Sequence, residues 1–127
     1  MEFEKILILC LFLSGVLPVL CAGISKSKSN YDNSLPREWL AKQTGFRSRA
    51  NAAQQNCWES FIWFSVAIFT VCIFAEDQIE ISSKIAVTYL ILRVFYVVSY
   101  VLGFSIFRTI FWLLAQACIF YIFFLAF

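Results

Sequence analysis

The sequence predicts an all-α integral membrane protein, a bundle of four transmembrane helices. Composition is the first observation: 61% of residues are hydrophobic and only 14% charged, against about 25% charged in soluble domains. Size is the second. A chain of 127 residues has too much surface for its volume to hide this much apolar material from water. The third is patterning, since the apolar residues gather into four runs, each close to the ~20 residues that cross ~30 Å of hydrocarbon. The length suits one domain, residues 1–127.

The first run covers residues 6–24. A secretory signal peptide is the alternative, because LPVLCAG ends in small residues. Glu2, Glu4 and Lys5 do not make a basic leader, however, and Leu20 before Cys21 does not suit a lipoprotein cleavage site, so a retained span is the reading. The polar linker SKSKSNYDNS follows. NSLPREWLAKQTG then carries helix punctuation: Asn33 or Ser34 to cap, Pro36 in the first turn, Glu38 at the positive end of the dipole and Gly45 to terminate. Trp39 and Leu40 either rest at the lipid headgroups or belong to a plain surface helix linking two spans. In the second run, Phe61–Ala75 is too short to span at 1.5 Å per residue. Counting back from Ala75 gives 56–75 and draws Glu59 inside the membrane boundary. The Ala- and Gln-rich stretch upstream extends this helix toward Arg47. The third and fourth spans are expected at 85–103 and about 107–127.

Charge then gives a direction. The loop 25–49 holds Lys26, Lys28, Arg37, Lys42, Arg47 and Arg49 against Asp32 and Glu38, whereas the loop after Ala75 is acidic. Arg108, in the turn between the last two spans, falls on the same side as the basic loop. The positive-inside rule places that loop in the cytoplasm and both termini outside. The net charge is +2, with no basic stripe or recognition motif, so nucleic acid is not expected as a partner. No histidine is present, which removes His-type zinc sites and His-based triads, and no metal is expected. Five cysteines, an odd number without a CxxC pair, read as small buried hydrophobes.

Polar residues in the spans are the informative ones. On the second, Arg49, Ala52, Asn56, Glu59 and Trp63 recur at three- and four-residue spacing, and on the third Tyr89, Arg93, Tyr96 and Tyr100 do the same. Intramembrane charges usually face the bundle interior and pair with each other. Arg93 lies about 15 Å deep at helical rise, and Glu59 is the acid embedded in a span, so pairing of Glu59 with Arg93 is expected, within a chain or between protomers. Such a pair can equally do no more than fix helix register. Arg49, Asn56, Glu59 and Arg108 approach one side with Tyr100 close by, a basic cleft suited to an anionic, amphipathic or peptide-like ligand. Cys57 has nothing beside it in sequence to mark an activated nucleophile.

The run RSRANAAQQNCWESF, then LRVFYVVSY, then FRTIFW, resembles the MAPEG family, membrane-associated proteins of eicosanoid and glutathione metabolism. YDNSLPREWLAKQTG looks like the loop of its small bacterial branch. The resemblance covers Tyr31 to Phe127, with the first span fitting in length and position. It implies a homotrimer of four-helix bundles in which glutathione binds as co-substrate between protomers, near the cytoplasmic face. Asn56 and Glu59 match the family's Asn-x-x-Glu motif, with Arg49 upstream. Arg93, Tyr96 and Tyr100 match its third-helix motif, and Arg108 matches its thiolate-stabilising arginine. Two departures stand out. Ala52 and Gln55 occupy positions where family enzymes carry further bases, and Lys26 and Lys28 stand where arginine is common.

Two functions follow. One is a glutathione-dependent transferase or peroxidase acting on a lipophilic electrophile or hydroperoxide. There Arg108 and Tyr100 are the catalytic pair, and Arg49, Asn56, Glu59, Arg93 and Tyr96 hold the tripeptide. The other is a non-catalytic, lipid-binding or structural membrane protein of the same fold, which the departures at Ala52 and Gln55 favour.

Overall fold

A computed structural model describes residues 2–127 as α-helices and their connections: α1 (Glu2–Ser25), α2 (Pro36–Ala41), α3 (Phe46–Phe74), α4 (Ile79–Leu102) and α5 (Ser105–Phe124). α1, α3, α4 and α5 are long and apolar enough to cross a membrane. No more than a third of any span is buried within the protomer, so the outward apolar surface has to face lipid or other protein. With no water in hydrocarbon, helices satisfy their own backbone groups. The protein is an integral membrane helix bundle.

Buried faces explain how the helices approach. α3 turns inward Ala50, Ala53, Cys57, Ser60, Phe64 and Ala67, a stripe rich in the small residues that let membrane helices pack closely. α1 meets it through Gly15, where an added Cβ would stand 3.3 Å from the Phe61 ring. α4 buries Ser82, Ser83, Ala86, Tyr89, Arg93, Tyr96 and Ser99, so its polar side lines the interior and its apolar side faces outward. A hydrogen bond of 2.8 Å joins the Ser60 and Tyr89 hydroxyls, and Tyr89 stacks on Phe64 with ring centroids 4.0 Å apart.

The loop helix departs from the sequence reading. Leu35, not Asn33 or Ser34, occupies the N-cap of α2, and no side chain caps it. Ser34 instead donates from its amide and hydroxyl to Asp32 Oδ1 at 2.9 and 2.5 Å, which holds the Asp32 carboxyl below its usual range. Gly45, at φ 67°, opens α3 rather than closing α2. Trp39 is buried, edge-on to Tyr31 at 5.1 Å, and so does not lie free at the headgroups.

α3 begins at Phe46, well before the hydrocarbon length requires, and its first turns carry two arginine clamps. Arg47 Nη2 donates to the Ser27 carbonyl at 2.9 Å, just past the end of α1. Arg49 Nε donates to the Val101 carbonyl at 3.0 Å, in the last turn of α4. Both cations meet the negative ends of neighbouring helices, where a positive charge is favoured.

Candidate functional site

The polar site begins at the end of α4. Gly103 has φ 85°, the Phe104 amide donates to the Ser99 carbonyl at 2.8 Å and the Gly103 amide to Tyr100 at 3.1 Å. This is a Schellman closure, which needs a residue free to adopt the left-handed conformation. α5 restarts at Ser105, so Arg108 comes round in its first turn beside the end of α4. Its guanidinium carbon lies 4.5 Å from the centre of the Tyr100 ring, a cation–π contact. Tyr100 is in turn edge-on to Tyr96 at 5.7 Å. Asn56, Tyr96, Tyr100, Arg108, Thr109 and Trp112 line an open cavity of about 250 Å³.

Deeper on α4, Arg93 is 1% exposed. Its Nη2 donates to Asn56 Oδ1 at 3.0 Å and to Cys57 Sγ at 3.2 Å, and its guanidinium carbon sits 4.1 Å from the centre of the Tyr96 ring. The remaining Nη1 is buried without a hydrogen-bond partner. Within the protomer the expected pairing with Glu59 is not present. Glu59 is exposed on α3, whereas Arg93 is buried within the protomer. The physical reason is a rotation of the inward face. The stripe of Arg49, Ala52, Asn56, Glu59 and Trp63 stands about one residue, roughly 100°, away from the buried stripe of small residues. Asn56 remains half-buried at the boundary, while Glu59 and Trp63 turn outward.

The sequence-derived residues therefore separate into three groups. Asn56, Tyr96, Tyr100 and Arg108 share the cavity wall. Arg93 stands behind it, bonded to Asn56. Arg49 holds the α4 terminus, and Glu59 faces away from the protomer. Thr109 and Trp112 were missed, although Trp112, four residues after Arg108, shares its side of α5. Cys57 was also undervalued: an arginine donor touches its sulfur. A second, larger cavity, of about 660 Å³, lies among α2, α3 and the end of α1, where Lys26, Arg37, Asn51, Gln54, Gln55 and Trp58 contribute to its wall. It was not expected from the sequence, since its residues come from three elements. Among the described residues no cluster of His, Cys, Asp or Glu could hold a metal.

The MAPEG family model matches residues 6–127, nearly the whole chain. The chain belongs to the MAPEG family. Its four apolar helices are thus those of a MAPEG protein, a glutathione-related membrane protein in general terms. No curated protein and no solved structure matches the chain.

Proposed function

We propose that this MAPEG protein is a membrane glutathione-dependent transferase or peroxidase acting on a lipophilic electrophile or hydroperoxide. The observation that carries the reading is the Arg108 guanidinium against Tyr100 at the wall of the small polar cavity. Glutathione's thiol is mostly protonated at neutral pH, and a cation beside it raises the thiolate fraction. Arg108 supplies that cation, and the Tyr100 hydroxyl is a donor for the sulfur. Asn56 and Tyr96 hold the peptide, Arg93 fixes Asn56, and Arg49 sets the turn that presents Arg108.

A cavity of about 250 Å³ is too small for a tripeptide by itself, since ligand sites commonly run to roughly 300–1,000 Å³. A homotrimer completes it. The outward Glu59 then meets the ligand's ammonium, and the cavity holding Lys26 and Gln55 faces the site of the neighbouring protomer with cations for the carboxylates. The orientation is that of the charge pattern, with the basic loop cytoplasmic and both termini outside. The lipophilic partner arrives from the bilayer.

Calorimetry of glutathione on the detergent-purified protein tests this, with Arg108→Ala alongside. Wild type should bind glutathione and show ultraviolet thiolate absorbance, whereas Arg108→Ala should bind without that absorbance. Absence of binding to the wild type would sink the enzyme reading. A non-catalytic, lipid-binding role would then stand, a reading favoured by the neutral Ala52 and Gln55 where family enzymes carry bases.

A further inference from the structure

The sequence scatters its cysteines without a CxxC motif, yet folding brings two of them together. α1 and α3 approach closely over Gly15, and in the same interface Cys21, Ala53 and Cys57 form one buried cluster. The two thiols are in side-chain contact, and their residues are 0% and 3% exposed. Cys57 Sγ also accepts from Arg93 Nη2 at 3.2 Å. Cys10, Cys72 and Cys118 differ: they belong to or pack against the apolar core formed around Leu7, Phe64 and Tyr89.

Arg93 gives the pair its chemistry. It is a cation at membrane depth, almost fully enclosed, with Nη1 lacking a hydrogen-bond partner and no carboxylate of the described residues paired with it. An uncompensated charge in such a place is costly. The ionisable neighbour that accepts a hydrogen bond from it is the Cys57 sulfur. Arg93 also links that sulfur to the cavity, because the same Nη2 bonds Asn56 Oδ1 on the cavity wall, and the thiol cluster packs against Tyr100.

We propose that Cys57 and Cys21 form a buried dithiol redox centre that reduces lipophilic hydroperoxides, Cys57 attacking and Cys21 resolving. The substrate is an organic hydroperoxide, soluble in the hydrocarbon where the centre lies and admitted when the half-buried Tyr100 ring moves aside. The Cys57 thiolate attacks the terminal peroxide oxygen. The S–O bond forms, the O–O bond breaks, and the alkoxide leaves as an alcohol with the proton that Cys57 gave up. Cys21 then attacks the sulfur of the Cys57 sulfenic acid. The S–S bond forms, the S–O bond breaks, and water leaves with the Cys21 proton. Two thiols are oxidised to a disulfide while one hydroperoxide is reduced by two electrons, and exchange with an external thiol restores the dithiol. This chemistry needs no bound glutathione, so it stands or falls separately from the glutathione reading.

The test uses the reduced full chain in lipid nanodiscs, treated with cumene hydroperoxide, alkylated and mapped by mass spectrometry. The wild type should lose the Cys21 and Cys57 thiols together, yield a peptide linked through both, and form one cumyl alcohol per disulfide. Cys21→Ser should stop at a sulfenic acid on Cys57, trapped by dimedone. Cys57→Ser should consume no peroxide and keep Cys21 free. Oxidation of Cys72 or Cys118 ahead of the pair, or peroxide consumption by Cys57→Ser at the wild-type rate, would overturn the proposal. Should a serine variant fail to fold, the thiol map of the wild type decides the matter by itself.

Discussion

Gly103→Ala tests the element that places Arg108. Gly103 sits at φ 85° and ψ 17°, where an L side chain costs roughly 1–2 kcal/mol relative to glycine's free access. No steric contribution adds to this. A Cβ built there meets the Arg49 Cζ and Nε at 3.6 Å, an ordinary van der Waals distance. The expected loss is therefore about 1–2 kcal/mol, a factor of roughly 5–30 in the folded-to-unfolded ratio. Asparagine tolerates the left-handed region better, so Gly103→Asn should lose distinctly less than Gly103→Ala. The assay is reversible unfolding in mixed micelles followed by circular dichroism, with both variants beside the wild type. A neutral Gly103→Ala, or an asparagine variant as damaged as the alanine one, would refute the left-handed closure and with it the account of how Arg108 reaches Tyr100.

Other outcomes follow from the same geometry. A double-mutant cycle of Ser60→Ala and Tyr89→Phe should give a coupling of about 0.6–1.7 kcal/mol, the range of interhelical hydrogen bonds in membranes; the same unfolding assay reads it, and additivity would deny the bond. Arg93→Lys keeps the charge but lacks the planar fork that reaches Asn56 and Cys57 while stacking on Tyr96. It should lose about 1–3 kcal/mol of stability in that assay. Glu59→Gln should leave protomer unfolding unchanged, because Glu59 is exposed. Its glutathione affinity, measured by calorimetry, should fall roughly tenfold or more if a charge-assisted bond worth about 1.5–3 kcal/mol is lost.

Composition and run length by themselves settled the class of this protein. Four apolar runs at membrane length leave few structures for a small chain, because hydrocarbon demands that each segment satisfy its own backbone. The inward polar face of α4 was equally legible: Tyr89, Arg93 and Tyr96 share a helical stripe and are buried together. α3 was not legible in the same way. It carries two plausible inward faces, one polar and one of small residues, about 100° apart, and periodicity cannot choose between them. Packing chose the small residues, because α1 comes close to α3 over Gly15. That choice turned Glu59 outward and left Arg93 to meet Asn56 and Cys57 instead. The meeting of Cys21 with Cys57 lay wholly beyond the sequence, since it joins residues 36 positions apart on separate helices. Local pattern fixes what a helix is made of, while the rotation of each helix about its axis is decided only when its neighbours pack against it.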